Sequence, residues 1–141
     1  MTKEATLQLP ADTAYLKMIG EFVSRMAKIS GFDDLDCKRI EVAVDEACTN
    51  VIEHTQRGAS HDAFSICCRA VASGIEITIS DRGAPFDFDS VAVPDVSAGA
   101  EDRPIGGLGI FLMKKFMDFV KYTPGADGMR HLTMSKNRPA G

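Results

Sequence analysis

Between residues 64 and 80 the chain alternates with a period of two, and that alternation limits what it can become. Ile75, Ile77 and Ile79 are separated by Glu76, Thr78 and Ser80, and Phe64, Ile66, Cys68 and Ala70 keep the same rhythm. Successive side chains of a strand point to opposite faces, so each run has one apolar face. Ser73-Gly74 between the runs reads as a hairpin turn. An antiparallel pair of this kind is wetted on one side and covered on the other.

Helical segments supply the cover. Leu7 and Leu9 suggest a short first strand ended by Pro10. Asp12 or Thr13 then caps a helix running to about Ile29, in which Leu16, Ile19, Phe22, Val23 and Met26 keep helical spacing. Gly31 ends it. Asp33 and Asp34 open a second helix, where acidic residues suit the amino-terminal dipole, and it runs to about Thr55. A third helix follows Gly106-Gly107-Leu108-Gly109, and 119–123 and 129–136 form a closing hairpin around 124–128. The order β-α-α-β-β-loop-α-β-β predicts an α+β sandwich, a mixed and mostly antiparallel sheet with about three helices on one face. The 141 residues suit one domain, 1–141, with a loose tail over 137–141.

The formal charge of −4 and the absence of a Lys/Arg run argue against nucleic-acid binding. No apolar run approaches the ~18–20 residues needed to span a bilayer, and the amino-terminal segment lacks the apolar centre of a secretory signal. A cytoplasmic location is expected. Cys37, Cys48, Cys67 and Cys68 form no C-x-x-C pair and read as free, mostly buried thiols.

Three polar motifs are left unexplained by folding alone. Glu46, Asn50 and His54 stand in steps of four on the second helix, which drift by only about 40° per step and so share one stripe. Asp81-Arg82-Gly83 closes the Ile75–Ile79 strand, and Gly106-Gly107-Leu108-Gly109 opens a helix. A carboxylate at a strand end can accept from the amino group of a base, and a glycine there allows close approach. A glycine-led helix start offers N–H groups to phosphates. An amide oxygen suits Mg²⁺, and a carboxylate beside a phosphate can take a proton from an attacking hydroxyl. Taken singly, each motif is ordinary: a solvated face, a plain turn, a flexible loop. Their joint order points to a nucleotide. The irregular stretch of about 82–106 is long enough for a lid, and Arg82 and Arg103 within it read equally as phosphate contacts or as solvated loop charges.

This order of motifs closely resembles the GHKL ATPase superfamily with its Bergerat fold, over about Leu7 to Lys136. Within it, the motifs look most like stand-alone anti-sigma-factor serine/threonine kinases of the RsbW/SpoIIAB type. The resemblance implies that ATP binds through Asn50, Asp81, Gly83, Gly106, Gly107 and Gly109, with Asn50 on Mg²⁺ and Asp81 reading adenine. Glu46 would be the catalytic base, and His54 would play a supporting role. The implied substrate is a STAS-domain anti-anti-sigma protein, the implied alternative partner a sigma factor, and the implied assembly a homodimer. Two functions follow: a kinase in a partner-switching circuit, or a nucleotide-gated binding module without efficient transfer.

Overall fold

The computed structural model describes residues 3–57, 63–82, 107–125 and 128–139. Within them run β1 (Glu4–Pro10), α1 (Leu16–Ile29), α2 (Asp34–Arg57), β2 (Ala63–Val71), β3 (Gly74–Asp81), α3 (Gly107–Phe116), β4 (Phe119–Pro124) and β5 (Arg130–Asn137). The five strands make one sheet in the order β1-β2-β3-β5-β4, and every pairing is antiparallel. The expected α+β architecture is therefore present.

The two-residue alternation does what it predicts. Phe64, Ile66 and Cys68 on β2, Ile75, Ile77 and Ile79 on β3, and Met134 on β5 are all buried. In register, Ile66 lies beside Ile79, and Ile77 beside both Cys68 and Met134. The helices supply the opposing surface: Ile19 and Val23 of α1, Ile40, Val44 and Ile52 of α2, and Met113 of α3 are almost wholly excluded from water. The other sheet face is polar and pairs across strands. Thr78 bonds Thr133 at 3.3 Å, Ser80 bonds His131 at 2.7 Å, and Arg69 donates to Glu76 at 2.7 Å.

Local signals fix the helix ends. Asp12 accepts from the Ala14 N–H, yet the segment it caps is a single 3-10 turn, Thr13–Tyr15, and the α-helix proper begins at Leu16. Such tighter turns are common at helix starts. At the far end Gly31 adopts φ +96°, Gly31 N–H donates to Lys28 and Phe32 N–H to Ala27. That pair of bonds satisfies the last carbonyls of α1 and needs a residue tolerant of positive φ. Asp33 then caps α2 by accepting from the Asp36 N–H at 2.8 Å.

Gly74 has a different role from the turn position expected of it. It stands inside β3, and a Cβ there would lie 2.0 Å from the Lys136 carbonyl oxygen of β5. Two residues, Ala72 and Ser73, make the turn. Of the tail expected to be loose, Asn137 completes β5, and Arg138 donates to the Ser30 and Ala72 carbonyls.

Candidate functional site

Strand alternation places the first site residue. Asp81 is in phase with Ile75, Ile77 and Ile79, so it reaches the helix-covered face at the end of β3. It is buried, with a side chain only 6% exposed. Directly across the ladder stands Arg130, in phase with Leu132 and Met134 on β5. Its guanidinium is 5% exposed and grips the carboxylate with both arms: Nε donates to Oδ1 and Nη2 to Oδ2, each at 2.7 Å. Asp81 is thus half of a two-pronged ion pair.

The second residue comes from α2. This helix lays Ile40, Ala43, Val44, Ala47 and Val51 against the core, and Asn50 follows on the flank of that stripe. Asn50, Asp81, Arg130 and Tyr122 line one pocket, whose other walls are Ala47, Val51, Ile79, Met113 and Leu132. An apolar slot with a few convergent polar groups is the usual form of a small-molecule site.

Glu46 lies one turn before Asn50 and does not line that cavity. It faces a neighbouring groove with Leu16, Gly20, Val42 and Asp45. Its carboxyl is half-buried and is held above the ordinary carboxylate range, first by burial, then by the charges of Asp45 and Glu53. The glycine-led helix explains how it fits. A Cβ on Gly109 would come within 2.9 Å of Glu46 Oε2, so the bare backbone at this position lets α3 approach the carboxylate. Gly107 is the first residue of α3, whose opening N–H groups have no partner within the helix.

Several expected residues cannot be placed in this way. Gly83, Gly106, Arg103 and the remainder of segment 83–106 lie outside the described residues, as does the side chain of His54. Arg82 is described, and it lines a hollow with Gln8, Ser65 and Ser80 on the polar side of the sheet. Among the described residues no group of three His, Cys, Asp or Glu side chains is arranged to hold a metal ion. A Mg²⁺ here would need ligands from elsewhere, which suits an ion that keeps waters and takes substrate phosphate oxygens. An amide oxygen at Asn50 fits that mode.

The sequence reading missed Arg130. The signal was available: an arginine in phase with inward Leu132 and Met134, opposite an inward aspartate once β3 and β5 pair. It was hidden because β5 is separated from β3 by about fifty residues, and the register belongs to the fold.

None of the described helices is long and apolar enough to cross a membrane. The family model of the histidine kinase-like ATPase domain matches residues 9–136. Serine-protein kinase RsbW of Listeria monocytogenes is 33% identical over 125 residues, which cover 86% of this chain and 80% of that one. Serine-protein kinase RsbW of Bacillus velezensis is 29% identical over 119 residues, 82% of this chain and 74% of the relative. Among solved structures, the RsbU and RsbW domains of Rv1364c from Mycobacterium tuberculosis superpose with a TM-score of 0.64 over 98% of this chain. At 17% identity that likeness concerns the fold, and this chain spans only 34% of that longer protein.

Proposed function

Because this chain belongs to the histidine kinase-like ATPase domain family, and relatives along most of its length are serine-protein kinases, we propose that it is an ATP-dependent protein serine/threonine kinase. It acts in the cytoplasm as an anti-sigma factor, phosphorylates a STAS-domain anti-anti-sigma protein, and otherwise holds a sigma factor, in a partner-switching circuit. The active form is a homodimer. The observation that carries the kinase reading is the position of Glu46, a half-buried carboxyl with raised proton affinity beside the glycine-led start of α3.

The residues divide the work as follows. The apolar walls made by Val51, Ile79, Met113 and Leu132 hold the flat adenine away from water, and Asp81 accepts from its amino group. Gly83 is assigned to close approach of the base, and Gly106, Gly107 and Gly109 to the phosphates, to which the opening N–H groups of α3 would donate. Asn50 would hold Mg²⁺ through its amide oxygen, and the ion would supply neutralisation of phosphate charge. Glu46 accepts the proton of the serine or threonine hydroxyl as its oxygen bonds to the γ-phosphorus. The bond from that phosphorus to the bridging oxygen breaks, and ADP leaves. Phosphoryl transfer depends mainly on such positioning and charge neutralisation, with a carboxylate orienting the nucleophile.

The test is transfer of labelled γ-phosphate from MgATP to a STAS-domain partner, read beside nucleotide-dependent capture of that partner. Phosphoserine or phosphothreonine on the partner is the expected result. A stable MgATP-dependent complex without transfer would instead identify a nucleotide-gated binding module.

A further inference from the structure

Lys136 is a cation on the apolar face of a strand. It is in phase with Leu132 and Met134 of β5, and its partner across the ladder, Ile75, is wholly buried. Its side chain therefore runs under the helical layer and is half-buried there. An ammonium drawn in among apolar groups costs free energy unless it is paired. Here Nζ donates to the carbonyl oxygen of Phe116 at 2.7 Å. Phe116 is the last residue of α3. The final carbonyls of a helix have no partner within it, and they form the negative end of its dipole.

This bond fixes something that apolar packing does not. Ile110 and Met113 bury the underside of α3, but such contact is non-directional and tolerates a small slide along the helix axis. A hydrogen bond from β5 to the terminal carbonyl sets the axial position. The turn that follows is held at the same strand end: Asp118 N–H donates to the Ser135 carbonyl at 2.9 Å, and Asn137 N–H donates to Asp118 Oδ2 at 2.7 Å. Ten residues at ~1.5 Å each put the start of α3 roughly 15 Å from this anchor. Near that start the fit is close, since a Cβ on Gly109 would come within 2.9 Å of Glu46 Oε2. A helix this short moves as a rod, so a slip at Phe116 becomes a slip at Glu46.

Resting on the reading of Glu46 and the start of α3 as the transfer site, we propose that Lys136 is a positioning residue for phosphoryl transfer. It touches neither the nucleotide nor the acceptor hydroxyl. By holding the trailing end of α3 against β5, it keeps the leading end, with its opening N–H groups, at the distance from Glu46 that transfer needs.

The experiment compares the full chain with Lys136→Met, which keeps the apolar stem and removes the ammonium, and with Lys136→Arg, which keeps a cationic donor. Two quantities are read at a temperature where thermal denaturation shows every variant folded. One is the single-turnover rate of γ-phosphate transfer to a STAS-domain partner at saturating MgATP. The other is the equilibrium dissociation constant of adenosine, which carries no phosphate. In Lys136→Met the transfer rate should fall by about 10–100-fold, the scale of a misplacement of about 1 Å. Adenosine should bind within about threefold of the parent, because the one α3 side chain lining its pocket, Met113, is flexible enough to follow a small shift. Lys136→Arg should recover most of the lost rate. Should Lys136→Met fail to fold, Lys136→Gln keeps a neutral donor and is read in the same way. A variant with a lowered melting temperature but an unchanged transfer rate would overturn the proposal and leave Lys136 a stabilising cap. So would a rate and an adenosine affinity that fall by the same factor, or a loss that arginine does not repair. A parent chain that transfers no phosphate would overturn the kinase reading itself, and this proposal with it.

Discussion

Glu46, the proposed base, is a carboxyl whose charged form is disfavoured by its place in the fold. Its proton affinity is raised by burial and by the neighbouring Asp45 and Glu53 charges. Between its unfolded and folded pKa values the native state holds more proton than the unfolded one, so stability falls as pH rises through that window. The destabilisation is complete above the folded value and absent below the ordinary carboxylate range of about 4.3. Glu46→Gln keeps the shape and removes the charge. Its melting temperature should therefore equal or exceed that of the parent at pH 8, with the difference shrinking towards pH 4 in a thermal-denaturation series. Phosphoryl transfer by the same variant should fall by about 10²–10⁴-fold, the span of a lost general base, while MgATP affinity stays within about threefold because Glu46 lies outside the pocket lined by Asn50 and Asp81. In the parent, the single-turnover rate should decline on acidification with an apparent pKa above the usual carboxylate range. A variant both less stable at pH 8 and fully active would remove Glu46 from the base role. Sequence spacing put Glu46 and Asn50 on one helix stripe, because four-residue steps dictate it, but that stripe alone reads equally as a solvated face. It could not say that they face different recesses, since that depends on where α3 crosses α2.

At the scale of elements, two glycines set distances between neighbours. Gly109 brings α3 against the Glu46 carboxylate, and a methyl group 2.9 Å from Oε2 must displace it. The obstacle is the far end of a flexible side chain, so Gly109→Ala should fold. It should lower the transfer rate about tenfold or more, the usual result of moving a reacting group by about 1 Å, with little change in melting temperature. Gly74 meets backbone instead: an added Cβ at 2.0 Å from the Lys136 carbonyl oxygen cannot be relieved by a rotamer change. Gly74→Ala should force β3 and β5 apart and lower the denaturation midpoint by the equivalent of about 1–3 kcal/mol, as overpacking does. An unchanged midpoint would mean that the ladder end yields freely. Most elements were legible in the sequence for physical reasons visible in it. Ile75, Ile77 and Ile79 dictate a one-sided strand, and Asp33 and Gly31 mark helix ends through capping chemistry. Gly74 was legible only as a turn former, because its true constraint is a strand sixty residues away in sequence. Arg130 was obscured for the same reason: its phase with Leu132 and Met134 is visible locally, but its pairing with Asp81 across β3 and β5 is a property of register.

At the scale of the molecule, one core joins the helices to the sheet, and the site is built across it from α2, β3 and β5. Ligand binding at such a seam should stabilise the whole assembly, and the cysteines provide a readout. Cys48 is fully buried on α2, two residues from Asn50, and burial holds its thiol far above the ordinary range. Cys68 is fully buried on β2, its thiol pushed up to about 12. Both should be inert to alkylation until the core opens, because the thiolate is the reactive form. Cys67 is half-buried on the polar sheet face and needs no such opening. MgATP at 100 times its dissociation constant adds about 2.7 kcal/mol to native stability. Labelling of Cys48 that proceeds through global unfolding should then slow by about 100-fold, while labelling of Cys67 stays nearly constant and reports that the reagent is intact. The measurement is alkylation followed by mass analysis, residue by residue, with and without MgATP. Protection confined to Cys48 would mean that α2 opens apart from the sheet, with the nucleotide steadying that helix alone. Equal protection of Cys48 and Cys68 would mean that helices and sheet unfold as one cooperative unit. The shared core favours the second outcome, since Val44 and Ile52 of α2 and Ile66 and Ile77 of the sheet belong to one continuous buried cluster.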